Sequence, residues 1–533
     1  MKVFAIRFGV AFLVGLILLL LEHTLARRNP RLRTLSQTIL SVLSAACVVA
    51  VTWLVLNHIG FPLHLDLMEG TVLQHVERAG HLEPIYTSPS PEYVPLAYNP
   101  LYYVICAPFT WIFGMNLPLL RLVAIIGFIG SALAVFLAVW QLTKSRWWGL
   151  VALGLFAASY QVMDVYLDTA HSDSWLVCSA LWGTYLIGGE RSFRRNMVGL
   201  LLLVASFWFK QHGAFFAAGG LAYLTIRDGW RRSVPFWLTT VVLGPLAYLW
   251  AGPVLFGEQF HYFTWTVPAA WQEINLQTFR RFAGFIVKFH GMLALGIGLA
   301  FCAKRVFLSS RPNVWEFQIP FALLTGLLGA MDPGSSDNVF IPMSTWLILL
   351  GVLSWHELTT GFAVLNAWKL DRLALLISFG LVVFDPTTVA VSAESQKCYG
   401  EFVAFLRQLD GPVYAPTLGH LSSGYTFYPA AHWVAIEDMI RGPGRDTENH
   451  PVTRKILDPI VHPSGPAYIL VNRPLDTFPF FRFLSVIFVL EEDLGDRFRP
   501  LRALPKRFDH LWPRYLYRYA PNQLNGGPQS EAD

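Results

Sequence analysis

SQTILSVLSAACVVAVTWLVLNHIGFPLHLDLMEG (residues 36–70) passes from an apolar stretch, 36–57, into His64-Leu65-Asp66-Leu67-Met68-Glu69-Gly70. The apolar part is long enough to cross a ~30 Å hydrocarbon layer as a helix, which takes about 20 residues. The second part sets two carboxylates just beyond its end, with Phe61-Pro62-Leu63 in front of Asp66. An ionised group near bilayer depth costs on the order of 2.5–3.5 kcal/mol at a helix centre, so such groups are usually paired or used. A membrane helix that opens at once into an acidic loop is the unit from which the rest is read.

The same texture recurs outward from it. The 533 residues are 54% hydrophobic and 14% charged, with a mean hydropathy of +0.45. A soluble domain carries about 25% charged residues, so much of this surface faces something other than water. The apolar segments are 5–22, 36–57, 118–141, 148–163, 174–188, 197–209, 213–226, 234–253, 282–302, 316–331, 338–354 and 373–390. They predict an α-helical polytopic membrane protein of about 12 spans. The further run 101–116 follows Pro100 and is brief; it reads as an interfacial or re-entrant helix, with a thirteenth span as the alternative.

The positive charges support that choice. Loops 23–35, 142–147, 189–196, 227–233, 303–315 and 355–372 together hold 17 Lys and Arg, whereas the opposite loops and the N-terminus hold 5: Lys2, Arg78, Lys210, Arg280 and Arg281. Basic loops stay cytoplasmic, and making 101–116 a span would destroy the asymmetry. Both termini then lie outside. Segment 5–22 reads as a retained helix rather than a signal peptide, because Arg27 and Arg28 follow closely and His23-Thr24-Leu25-Ala26 is a poor cleavage site. The net charge of +5 adds little, the 5 cysteines show no metal-ligand spacing, and nothing resembles a nucleic-acid-binding pattern.

The sidedness sorts the polar residues. Asp66 and Glu69 lie in the first outer loop; Asp164, Asp168, His171 and Asp173 lie between 148–163 and 174–188. Lys210, Gln211 and His212 form a tight outer turn, Glu258, His261, Glu273, Arg280 and Arg281 share the next loop, and Asp332, Asp337 and Asn338 fill the last. Outer loops must be polar anyway, and a lone Lys at a span's lip can snorkel. A site at this depth nonetheless suits a lipid-linked sugar phosphate. Lys210, helped by Arg280 or Arg281, would offset the leaving phosphate's charge. Asp66 would take the acceptor's proton, a contribution of ~10²–10⁴-fold for a positioned base.

Four features then resemble the GT-C glycosyltransferases, in particular bacterial relatives of the dolichyl-phosphate-mannose–protein mannosyltransferases and the lipid A aminoarabinose transferase. They are Asp66-Leu67-Met68-Glu69-Gly70 after an early span; Tyr98-Asn99-Pro100-Leu101-Tyr102-Tyr103 leading to Arg121; His171-Ser172-Asp173; and Lys210-Gln211 at a tight turn. The resemblance covers roughly 36–390 and implies a polyprenyl-phosphate-sugar donor, with a glycan, lipid or protein acceptor. It implies that Asp66 is the base or acceptor-positioning group and that Lys210 and Gln211 meet the phosphate. Tyr98, Tyr102, His171, Asp173 and Asp337 would belong to the substrate pocket. The spacing Asp-x-x-Glu leaves the base open between Asp66 and Glu69. Some members use a divalent cation such as Mg or Mn, for which Asp66, Glu69, His171 and Asp173 are conceivable ligands. An extra N-terminal segment, 1–35, precedes the region of likeness.

Beyond residue 390 the texture changes. Runs 411–415, 467–471 and 484–489 read as buried strands and 401–409 as a helix, so 391–521 is expected to be a small outer α/β domain. Residues 522–533 look disordered. The function expected is an inverting glycosyltransferase of the bacterial inner membrane, acting on its outer face. A transporter or flippase, which tends to show internal repeats and midplane ion sites, is the alternative. A non-catalytic scaffold is another.

Overall fold

The computed structural model describes residues 2–26, 29–304, 312–418, 428, 431–443, 455–477, 481–501 and 512–520. The expected disordered tail 522–533 and the loop residues Arg27, Arg28, Arg305 and Arg311 lie outside the described residues.

Each apolar segment forms a helix. In chain order these are α1 (Lys2–Ala26), α2 (Leu35–Ile59), the shorter helices α3 (Glu69–Gly80) and α4 (Leu101–Phe113), α5 (Leu117–Thr143), α6 (Arg146–Ala158), α7 (Asp173–Ile187), α8 (Phe193–Phe209) and α9 (Gly213–Asp228). Next, α10 (Trp230–Val241) continues through a π-helical stretch, Val242–Ala251, into α11 (Gly252–Phe256); Pro235, Pro245 and Pro253 interrupt its hydrogen-bond ladder. The short α12 (Val267–Ala270), α13 (Leu276–Ala303), α14 (Val314–Ala330), α15 (Ile341–Gly361), the short α16 (Ala363–Ala367) and α17 (Leu370–Val382) complete this region. Among the described residues, 6 helices are long and apolar enough to span alone, or up to 7 if the bent pair Leu370–Val382 and Pro386–Leu406 counts as one. This is a multi-pass membrane protein.

Several remaining helices are short because they stop at a buried polar floor. The expected span 148–163 ends at Ala158, and the chain to Ser172 is a loop with almost every residue buried. Irregular backbone at such depth survives only inside protein, where its polar groups find partners. Asp164 and Val165 both take left-handed φ values, 59° and 60°, a costly conformation for a β-branched residue.

The extra helix α1 packs along α17; Gly15 and Gly380 allow the approach, since a Cβ there would meet Leu373 at 2.8 Å and Ala11 at 2.4 Å. At their basic end the buried Glu22 pairs with Lys369 and, at 3.2 Å, with Arg372. Lys304 similarly pairs with Glu316 and Glu357.

One buried ion pair organises the opposite end. Arg121, near the start of α5, donates from Nε to Glu69 Oε1 at 2.8 Å and from Nη2 to Glu69 Oε2 at 2.5 Å. Its remaining donors reach the carbonyls of His58 (3.2 Å), Phe61 (2.5 Å) and Leu63 (2.7 Å). Glu69 also accepts from Leu65 N–H at 2.6 Å and Ala170 N–H at 2.8 Å. The pair thus ties the exit of α2, the start of α3 and the 159–172 loop to α5. Burial alone would raise the Glu69 carboxyl, but the Arg121 guanidinium and the two backbone N–H groups outweigh it and hold it down to about 2. A depressed folded value means stability that is complete above about 4.5 and is lost as pH falls toward about 2.

The chain then enters α18 (Ala393–Leu406), capped by Ser392, whose Oγ accepts from Ser395 N–H. This helix starts earlier than the expected 401–409 because its first turn is polar, and it ends at Leu406. The C-terminal sheet has the order β1-β2-β4-β3, with β1 (Val413–Tyr414) parallel to β2 (Tyr468–Val471). Strand β4 (Tyr515–Tyr519) runs antiparallel to β2 and to β3 (Phe488–Asp493). The expected strand 484–489 is corrected: Arg482–Val486 is a 3-10 turn, and β3 is a mostly exposed edge rather than a buried strand. The apolar face of helix α19 (Trp433–Ile440) shares a hydrophobic cluster with Phe260, Val267 and Trp271 of the helical region.

Replacing Arg121 with Met should leave Glu69 buried and unpaired and cost about 3–5 kcal/mol. Denaturant unfolding in detergent would show it, and the Glu69→Gln, Arg121→Met double variant should recover part of the loss. A single variant as stable as wild type would contradict the clamp.

Candidate functional site

Lys210 sits where α8 hands over to α9 in three residues. Gly213 permits so tight a turn: a Cβ there would lie 2.1 Å and 2.2 Å from the backbone C and O of Ser206. Gln211 locks the turn by donating to the carbonyls of Ala97 and Thr264, both at 2.9 Å. Lys210 is 4% exposed, so its ammonium needs partners. It donates to Asp173 Oδ1 at 2.8 Å and stands 5.2 Å from the centre of the Tyr98 ring. The other Asp173 oxygen accepts from Asn338 Nδ2 at 3.0 Å and lies 2.6 Å from His171 Nδ1.

Asp66 joins the same constellation. It is 1% exposed, accepts from Met68 N–H at 3.0 Å, and is hydrogen-bonded by the Tyr166 hydroxyl. The Tyr166 ring packs edge-on to His171 at 5.4 Å, His171 packs edge-on to Tyr98 at 5.3 Å, and Tyr98 O–H points to Met68 Sδ at 3.7 Å. A closed circuit of contacts therefore runs Asp66, Tyr166, His171, Asp173, Lys210, Tyr98 and back to Met68.

A cavity of about 210 Å³ opens over this floor, lined by Tyr98, Tyr166, Lys210, Gln211 and Asn338 below. Asp332 and Trp271 flank it, and α19 roofs it with Trp433, Val434, Glu437, Asp438 and Arg441. Arg441 pairs with Asp332 and lies over the Trp271 ring, whose Nε1–H donates to Asp438 O at 3.1 Å. Burial pushes the Asp438 carboxyl up to about 8; Arg441 opposes the shift, while Asp332 and Glu437 add to it. Near neutrality this side chain holds a proton.

The other expected site residues fall elsewhere. Glu69 is held in the Arg121 clamp, and Tyr102 is buried beneath the site with its hydroxyl on Leu120 O at 2.7 Å. Arg281 braces the loop before α15, donating to the carbonyls of Asp332 and Ser336 and to Asp337 Oδ1 at 3.3 Å. Arg280 is exposed, and neither it, Arg281 nor Asp337 lines the cavity; Asp66, His171 and Asp173 do not line it either and reach it through Tyr166, Tyr98 and Lys210, which do. Among the described residues no three His, Cys, Asp or Glu side chains gather as a metal-binding group. Glu69 and Asp173 both spend their oxygens on cations and N–H donors, so this set does not fit a divalent ion.

Sequence reading overlooked Glu437, Asp438 and Arg441. The available signal was Trp433, Glu437 and Arg441 at four-residue spacing, one face of an otherwise apolar helix.

No protein-family model matches the sequence, and no curated protein matches it. Among solved structures the chain is similar to ArnT from Cupriavidus metallidurans bound to undecaprenyl phosphate, with a TM-score of 0.52 at 11% identity, covering 92% of this chain and 99% of that one. The apo state of the same protein gives 0.49 at 12% identity, with the same coverages. The fold is GT-C-like, as the four motifs implied.

The Asp438 shift carries a sign that can be checked. A folded value near 8 against 3.8 unfolded means the folded state binds the extra proton, so stability falls as pH rises from about 4 to about 8. Asp438→Asn should therefore melt higher than wild type at pH 8, with the gap closing near pH 4. Equal melting temperatures at both pH values would refute the buried acid.

Proposed function

We propose that the protein is a glycosyltransferase that moves a sugar from a polyprenyl-phosphate donor to an acceptor hydroxyl at the outer face of a bacterial inner membrane. The observation that carries this reading is Lys210: a buried ammonium on the wall of a cavity. A lipid phosphate arriving along the bilayer would meet it there, with Asp173 and Tyr98 holding it in place. The undecaprenyl phosphate bound to the ArnT structure supports the class of donor.

The acceptor oxygen attacks the anomeric carbon, the bond from that carbon to the phosphate oxygen breaks, and polyprenyl phosphate departs with the electron pair. Lys210 offsets the charge that grows on the leaving oxygen. Attack from the face opposite the phosphate inverts the anomeric centre. Asp66 is the base. Tyr166 both lines the cavity and bonds Asp66, so it takes the acceptor's proton as it hands its own to the carboxylate. Glu69 is unsuited to that role, since its oxygens are engaged by Arg121 and two backbone N–H groups. It positions the loop instead. The acceptor is a glycan, lipid or protein of the cell envelope, and both termini lie on the same outer side as the site.

The test is transfer of labelled sugar from polyprenyl-phosphate donors to a cell-envelope extract. Wild type should turn over, and Asp66→Asn should lose ~10²–10⁴-fold. Lys210→Ala should lose at least as much, and Tyr166→Phe should lose part. Transfer that survives Asp66→Asn would move the base elsewhere. A well-folded wild type inert with every donor would overturn the enzyme reading.

A further inference from the structure

We propose that α19 of the C-terminal domain forms the sugar subsite, so that this domain, and not the membrane bundle, selects the glycosyl group. This rests on the donor-phosphate role of Lys210 given above and adds what recognises the sugar attached to it.

The geometry starts with the helix face. Trp433, Val434, Glu437, Asp438 and Arg441 recur at three- and four-residue spacing and all line the cavity that Lys210 also lines. Two further polar atoms are left over there. Trp433 Nε1 and Gln272 Oε1 are buried, belong to residues lining this cavity, and have no hydrogen-bond partner among the described residues. Trp433 is 9% exposed, and a buried donor or acceptor left unmade costs about 1–3 kcal/mol. One donor, one acceptor and the half-buried carboxyl of Asp438, which lies 3.7 Å from Arg441 Nη1, match a polyhydroxylated ring beside the indoles of Trp271 and Trp433. Its hydroxyls need both kinds of partner, and its C–H faces pack on aromatic surface. Held protonated near neutrality, Asp438 can donate as well as accept.

Size and connectivity agree. The cavity, about 210 Å³, is smaller than the ~300–1,000 Å³ that drug-sized ligands occupy, leaving room for one sugar ring rather than an oligosaccharide. Asp438 is fixed by its own backbone, whose carbonyl accepts from Trp271 Nε1–H, while Arg441 ties α19 to Asp332 of the membrane region. The subsite exists only when the two regions are docked.

Binding of two ligands to the full-length protein separates the outcomes: polyprenyl phosphate alone, and polyprenyl phosphate bearing a hexose or pentose. Wild type should bind the best sugar-bearing lipid more tightly than the bare one. Trp433→Phe, which keeps the ring and removes the N–H, and Asp438→Asn should each weaken sugar-lipid binding by roughly tenfold, about one lost hydrogen bond to a buried partner. Both should leave bare-lipid binding unchanged and shift the order of preference among sugars. Lys210→Ala should weaken both ligands. Variants that bind the sugar-lipid as wild type does, or that lose both ligands alike while still folded, would overturn the subsite. A wild type that binds neither lipid would instead overturn the donor-phosphate reading on which it rests.

Discussion

The Arg121–Glu69 pair is the constraint on which the cavity end of the helical region depends. An arginine buried in a membrane helix is tolerable only if every donor is used, and here the guanidinium meets one carboxylate and three carbonyls. Those three carbonyls belong to His58, Phe61 and Leu63, so the clamp bends the chain as it leaves α2. The bend delivers Asp66 to the floor of the cavity region, two residues from Met68 in its lining. Glu69 reaches Ala170 in the same act, which fixes the strained loop that carries Tyr166 and His171. One ion pair thereby sets the position of the proposed base and of its hydroxyl partner.

The second constraint is steric. Lys210 can be held against Asp173 only because α8 and α9 turn within three residues, and that turn admits no side chain at Gly213. Lys210 and Asp173 offset each other's burial, while Tyr98 and Asn338 complete the shell. Such a cation is pre-organised: little of its surroundings must move when an anion arrives. The membrane region so presents a pre-organised ammonium to the cavity, which α19 also lines.

Much of this was legible in the sequence because hydropathy and charge bias are local properties. Each of the apolar segments is a helix, the run 101–116 contains the short helix α4, and the motifs around Asp66, Tyr98, His171 and Lys210 meet in one circuit. What sequence could not supply was pairing at a distance. Arg281 looked available for a phosphate, but its donors are consumed by the loop at 332–337. Glu69 looked equivalent to Asp66 until its partner 52 residues away was in view. Helix α19 was invisible as part of the site because its contacts, with Trp271 and Asp332, cross from one region to another. The edge strand β3 was misplaced for a related reason: its boundary is set by the pairing of Phe488 with Tyr519, not by where the apolar run begins.

The most direct test of the central claim is a cryo-EM structure of the full-length protein with polyprenyl phosphate bound. The phosphate should lie within hydrogen-bonding distance, about 2.7–3.2 Å, of the Lys210 ammonium, with the lipid chain leaving into the bilayer and the cavity under α19 open above it. A phosphate bound at another place on the protein, with Lys210 still engaged only by Asp173 and Tyr98, would contradict the account.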